Sequence, residues 1–124
     1  MEKTICELFA GVGGFRLGFD RLNTGWKTTW FSQWEPGASK QWAHECYVKH
    51  FGECTDLKGE LHTGDDISTV EKDLIPPHTL LVGGFPCQDY SVAHTLASSK
   101  GIEGKKGVLW WQIRDILIAK KAPF

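Results

Sequence analysis

Residues 4–22 read TICELFAGVGGFRLGFDRL. A short apolar run, Thr4–Phe9, meets the glycine-rich turn AGVGG, after which Phe15, Gly18, Phe19 and Leu22 recur at helical spacing. The order is strand, tight turn, helix, with Gly18 allowing close helix packing. Gly11, Gly13 and Gly14 let backbone N–H groups at a helix N-terminus approach a ligand. The dinucleotide fingerprint counted from Gly11 needs glycine at position 16, which is Arg16, and the phosphate-binding G-x-x-x-x-G-K pattern also fails. A glycine turn of this kind suits a nucleoside cofactor without phosphates; the plainer reading is a merely tight turn.

The same alternation continues downstream. Asn23-Thr24-Gly25 stops the helix, and Trp26–Trp34 is rich in Thr, Trp and Phe, which predicts a strand. Pro36-Gly37 breaks it. Ser39 is the expected cap of a helix running to about Phe51, where Gly52 ends it. Glu60–Thr63 is a weak strand candidate, followed by a helical turn near Ser68–Asp73. Thr79–Val82 has the continuous apolar character of a buried parallel strand. Residues 91–104 are small and polar and read as a mobile loop, and Leu109, Ile113, Ile116 and Leu117 mark an amphipathic helix. The pattern predicts a doubly wound α/β fold with a parallel sheet of four strands. The alternation calls for a fifth strand where the sequence reaches Ala122-Pro123-Phe124, so the fold is expected to be truncated there.

Composition sets the outer limits. The 124 residues are 41% hydrophobic and 23% charged, which fits one domain with a core and excludes collagen-like, low-complexity and coiled-coil chains. No apolar stretch approaches the roughly 20 residues of a membrane span, and the N-terminus lacks signal-peptide character, so a soluble cytoplasmic protein is expected. Net charge is near zero, but residues 91–124 carry six basic side chains against two acids. Such a tail can face phosphates, but four excess charges are ordinary for a solvated helix. Cys6, Cys46, Cys54 and Cys87 are irregularly spaced and read as reduced thiols. Cys46, His50 and Cys54 share helical spacing, yet Gly52 interrupts it and His44 points elsewhere, so no metal site is expected.

Two acids extend the cofactor reading. Glu35 ends the second expected strand, 21 residues past Gly14, where a carboxylate can accept both ribose hydroxyls. Asp66 follows the third, placed to accept from an exocyclic amine. Either alone reads as a turn or cap residue; together they indicate a nucleoside pocket. Cys87 follows a buried strand and two glycines at the edge where open α/β sheets place their ligands. It is a candidate nucleophile, against the ordinary alternative of an inert buried thiol.

The segments ELFAGVGGFRLG (7–18), QWEP (33–36), GDDI (64–67), GGFPCQDYS (83–91) and GIEGKKGVLWWQIRDIL (101–117) occur in the order and spacing of the cytosine-5 DNA methyltransferases. The chain resembles that family over nearly its whole length. The resemblance implies a Rossmann-like fold that uses S-adenosylmethionine. By it, the loop Phe9, Ala10, Gly11, Val12, Gly13 and Gly14 receives the methionine end, Glu35 the ribose, and Asp66 with Ile67 the adenine. Leu109 is implied as a further cofactor contact. Cys87, flanked by Pro86 and Gln88, matches the nucleophile that attacks C6 of a cytosine flipped out of double-stranded DNA. Residues 88–106 match the loop that closes over DNA, carrying Lys100, Lys105 and Lys106.

Some positions depart from the family pattern. Pro36 follows the ribose acid and Trp34 precedes it, leaving the adenine-stacking residue open, and Asp65 stands where glycine is commoner. The resemblance further places the family's E-N-V segment, target-recognition domain and closing C-terminal segment beyond Phe124. Residues 1–124 are therefore expected to be the N-terminal part of the catalytic domain, incomplete alone, in a bacterial cytoplasmic, nucleoid-associated restriction-modification enzyme. A related branch methylates tRNA. A non-catalytic alternative is a cofactor-binding chain complemented by a C-terminal partner, or one self-associating through an unpaired edge at Thr79–Val82.

Overall fold

A computed structural model describes residues 1–84 and 109–124. Among the described residues three strands form a parallel sheet: β1 (Thr4–Leu8), β2 (Lys27–Ser32) and β3 (Leu80–Gly83), in the order β2-β1-β3. The helices are α1 (Gly14–Leu22), α2 (Trp42–Phe51) and α3 (Leu109–Lys120), with 3-10 turns at Ile67–Thr69 and Lys72–Leu74. β1 lies in the centre, and its last residue, Leu8, pairs with both Ser32 and Gly83. All three strands therefore end along one edge.

The period of two in a strand sorts the core onto two faces. On one face Cys6, Leu8 and Trp30 pack with Ile67, Val70, Ile75 and Ile116, so α3 and the 3-10 turns cover that side. On the other, Phe31 packs with Ala10 and Tyr47, bringing α2 against the sheet. The Phe31 and Tyr47 rings stack with centroids 3.8 Å apart. Both faces are covered, which fits the doubly wound reading for this part of the fold.

Several expectations need correction. The Glu60–Thr63 segment is not a strand: the Glu60 N–H goes to the Asp56 carboxylate and the Glu60 carbonyl accepts from the Asp56 N–H. Only Thr63 touches the sheet's extension, accepting one bond from the Gln33 N–H at 2.9 Å. Helix α2 starts at Trp42 after Gln41 rather than after Ser39, and no side chain caps it. Gln41 instead grips the chain before it: its Oε1 accepts from the Glu35 N–H at 2.7 Å and its Nε2 donates to the Glu35 carbonyl at 2.9 Å.

No described residue stands within 4 Å of a Cβ built on Gly18, and α1 buries none of its residues. The close approach belongs to Gly13, where an added Cβ would lie 2.5 Å from Phe51 and 3.1 Å from Tyr47. Nor is the β3 edge bare. Phe124 donates to the Thr79 carbonyl and accepts from the Leu81 N–H, making one parallel rung there. The expected loop at 91–104 lies outside the described residues. Among the described residues, no helix is long and apolar enough to cross a membrane.

Candidate cofactor site

The sheet order makes a crevice. From β1 the chain passes to β2 on one side, whereas β3 lies on the other. The switch point therefore falls between the ends of β1 and β3, where open α/β sheets bind ligands. A cavity of about 480 Å³ opens there, lined by Phe9, Ala10, Gly14, Phe15 and Gly84.

The glycine loop is shaped residue by residue. Phe9 turns out of β1 with φ 53°, a left-handed conformation a bulky residue adopts at a cost of about 1–3 kcal/mol. Ala10 continues the sheet through its N–H to the Ser32 carbonyl at 3.0 Å. Gly11 has φ 58°, and its N–H donates to Gln33 Oε1 at 2.7 Å. Gly13 then turns with φ 96° and opens α1 without a capping side chain. The first turn of α1 thus presents the partial positive charge that attracts a ligand carboxylate. Among the described residues nothing stands within 4 Å of a Cβ built on Gly11, Gly14 or Gly84, which leaves the backbone at these three open to a ligand.

Gly83 has a different task. Its Cβ would lie 3.0 Å from the Leu8 carbonyl, so a side chain there would push β3 away from β1. Val12 and Gly13 also line a second cavity, of about 500 Å³, on the α2 side with Leu17, Cys46, His50 and Phe51.

Glu35 sits just past the end of β2, exposed, its backbone held by Gln41. Its carboxylate has no hydrogen-bond or ion-pair partner among the described residues. Asp66 is half-buried, and its Oδ1 accepts from the Ser68 N–H at 3.0 Å, capping the following 3-10 turn. Ile67 is buried in the main core cluster, and its carbonyl accepts from Lys72 Nζ at 2.6 Å. Leu109, half-buried, packs against the same cluster. Neither Glu35, Asp66, Ile67 nor Leu109 lines the cavity at the glycine loop. Cys87, Pro86 and Gln88 lie outside the described residues.

The site also rests on residues to which the sequence reading assigned no role. Gln33 fastens the glycine loop to β2, and Gln41 sets the backbone of Glu35. Beneath the loop, Tyr47 Oη donates to the buried Glu7 carboxylate at 2.9 Å, and Arg16 Nη1 donates to Tyr47 at 3.4 Å. The Arg16 guanidinium also lies 4.9 Å from the Phe51 ring centre. Burial raises the Glu7 carboxyl above its ordinary range, opposed by the Tyr47 hydrogen bond. A carboxylate inside the apolar run TICELF was the signal available for this network.

The model of the C-5 cytosine-specific DNA methylase family matches residues 3–124. The chain is 48% identical over 112 residues to the Type II methyltransferase M.Sau3AI of Staphylococcus aureus, covering 88% of this chain and 26% of that protein. It is 35% identical to M.NgoBI of Neisseria gonorrhoeae over 98% of this chain and 32% of that protein. To M.HhaI of Haemophilus parahaemolyticus it is 34% identical over 93% of this chain and 30% of that protein. The chain thus spans about a quarter to a third of the length of these relatives.

Proposed function

The chain belongs to the C-5 cytosine-specific DNA methylase family, and from that premise we propose that it is the N-terminal part of a DNA (cytosine-5-)-methyltransferase catalytic domain with a Rossmann-like fold. The observation that carries the reading is the open crevice at the β1–β3 switch point, walled by the glycine loop and Gly84. The residues fit S-adenosylmethionine. Gly11 and Gly14 leave backbone accessible, the uncapped start of α1 suits the methionine carboxylate, and the exposed Glu35 carboxylate is available for the ribose hydroxyls. Asp66 and Ile67 fall to the adenine, with Phe9, Ala10, Val12, Gly13 and Leu109 as further contacts. The cofactor supplies an electrophilic methyl group when bound.

In this reading Cys87 performs the nucleophilic step, between Pro86 and Gln88. Its thiolate forms a bond to C6 of the target cytosine, which makes C5 electron-rich enough to take the methyl group. Loss of the C5 proton and breakage of the Cys87–C6 bond then return the aromatic ring and the thiolate. The sulfur does this as a nucleophile, so the site must favour thiolate. DNA is the substrate, and the base must leave the stack to be reached. The relatives' Type II designation supports a role in a bacterial restriction-modification system.

Calorimetric titration with S-adenosylmethionine tests the cofactor assignment, with NADH as control. Binding of the first and not the second is expected. Glu35→Ala should weaken it by about 10–100-fold, the loss of one or two hydrogen bonds to a charged group. Equal affinity in that variant removes Glu35 from the site. In the full-length protein, Cys87→Ser should abolish methyl transfer to DNA while leaving cofactor affinity unchanged; transfer by the variant would exclude Cys87 as nucleophile.

A further inference from the structure

The segment between α2 and the turn at Ile67–Thr69 holds a polar cluster that the cofactor reading does not use. Asp56 is at its centre, its side chain only 2% exposed. Its Oδ1 accepts from the N–H groups of Lys58 at 2.8 Å and Glu60 at 2.9 Å, which accounts for the local turn. The other oxygen, Oδ2, is buried with no hydrogen-bond partner among the described residues. A buried anionic oxygen without a donor is costly to maintain. This one faces His62 Nε2 at 3.8 Å, too far for a hydrogen bond. Glu60 Oε2 lies 3.2 Å from the same nitrogen, and the three donor atoms all fall within 4.8 Å of one another.

These separations can be compared with a coordination sphere. Four ligands at zinc bond lengths stand about 3.3 Å apart. The distances 3.2 and 3.8 Å bracket that value. A proton on Nε2 serves Glu60 and leaves Asp56 Oδ2 bare, whereas a divalent cation among the three serves all of them. On the far side of the ring, His62 Nδ1 meets Asp65 Oδ2 at 2.7 Å. That contact places a proton on Nδ1, so a metal ion taking the place of the Nε2 proton would complete the usual carboxylate–histidine–metal arrangement.

We propose that Asp56, Glu60 and His62 bind a divalent transition-metal ion of the zinc class, with Asp65 as the positioning residue for His62. One imidazole and two carboxylates suit such an ion, and the absence of thiolate among them sets the site apart from the Cys46–His50–Cys54 spacing. The ion's role is structural. It ties together the segment that leads into Asp66, already fastened by the Leu57 N–H to the Leu74 carbonyl and by the Gln33 N–H to the Thr63 carbonyl. The site stands on these residues alone and is independent of the assigned reaction.

Cobalt(II), a coloured substitute for zinc, provides the test on the metal-stripped full chain. Visible ligand-field bands should saturate at one equivalent, disappear on adding zinc, and lack a sulfur charge-transfer band. Glu60→Gln, an exposed change that spares the fold, and His62→Ala should each weaken binding at least about tenfold, and Asp65→Asn by about 10–100-fold. Absence of the bands at millimolar cobalt, a thiolate band, or binding indifferent to Glu60→Gln and His62→Ala would each overturn the proposal.

Discussion

Single residues carry most of the glycine loop's design, and they divide the work unevenly. Gly13 is required by packing: at φ 96°, with Phe51 2.5 Å from any Cβ, Gly13→Ala should cost about 2–4 kcal/mol in urea unfolding. Gly14 is open, so Gly14→Ala should leave stability within about 1 kcal/mol yet weaken S-adenosylmethionine binding, because the added methyl enters the crevice. Similar stability losses in both variants would refute this division. The motif reads these glycines alike, because a spacing pattern does not encode which side of the loop meets another helix. His78 gives a pH dependence. It is buried, Nδ1 donates to the Pro76 carbonyl at 2.9 Å, and Nε2 has no hydrogen-bond partner among the described residues. Burial lowers its pKa from the ordinary 6.5. Below that value the unfolded chain takes up a proton that the folded chain resists, so the contribution is whole above it and lost as pH falls. Urea midpoints at about pH 7.5 and about pH 5.5 should differ less for His78→Asn than for the parent; an unchanged difference would show that another group titrates.

At the scale of elements, the sequence was legible where hydrophobic period and punctuation agreed. Strands β1, β2 and β3 and the ends of α1 and α2 at Asn23 and Gly52 all carried both signals. The start of α2 was not, because Gln41 turns its side chain back onto Glu35 instead of capping, a tertiary choice that propensity cannot anticipate. Glu60–Thr63 failed as a strand for a similar reason: the Asp56 carboxylate competes for the backbone donors. Helix α3 is seated by Ile116, fully buried among Cys6, Leu8 and Trp30, and by Lys120 Nζ donating to the Asp73 carbonyl at 2.6 Å. Ile116→Ala should therefore cost about 2–5 kcal/mol. A loss under about 1 kcal/mol, measured by denaturation, would mean the helix is not anchored at that point.

Across the whole molecule, the candidate site is an outcome of strand order more than of any one motif. The sequence suggested parallel strands, and it marked Phe9–Gly14 and Glu35 as ligand-facing. It did not reveal that β1 is central, which puts Gly84 beside the glycine loop and Gln33 behind it. Charge and composition carried little here, because the contacts holding the loop are single hydrogen bonds between segments about twenty residues apart or more.

Leu8 pairs with Ser32 and with Gly83, so one residue closes loops of very different length. Loop closure grows with the logarithm of length, and the second pairing carries about 1 kcal/mol more chain entropy than the first. The β1-α1-β2 unit can therefore assemble early, while the chain is still being made, with Gln33 already bracing the loop. β3 docks against β1 only after residue 83 has been synthesised, and Gly84 arrives with it. The crevice is then the last feature to mature, so affinity for a cofactor should appear with the slowest folding phase, well after most secondary structure is in place.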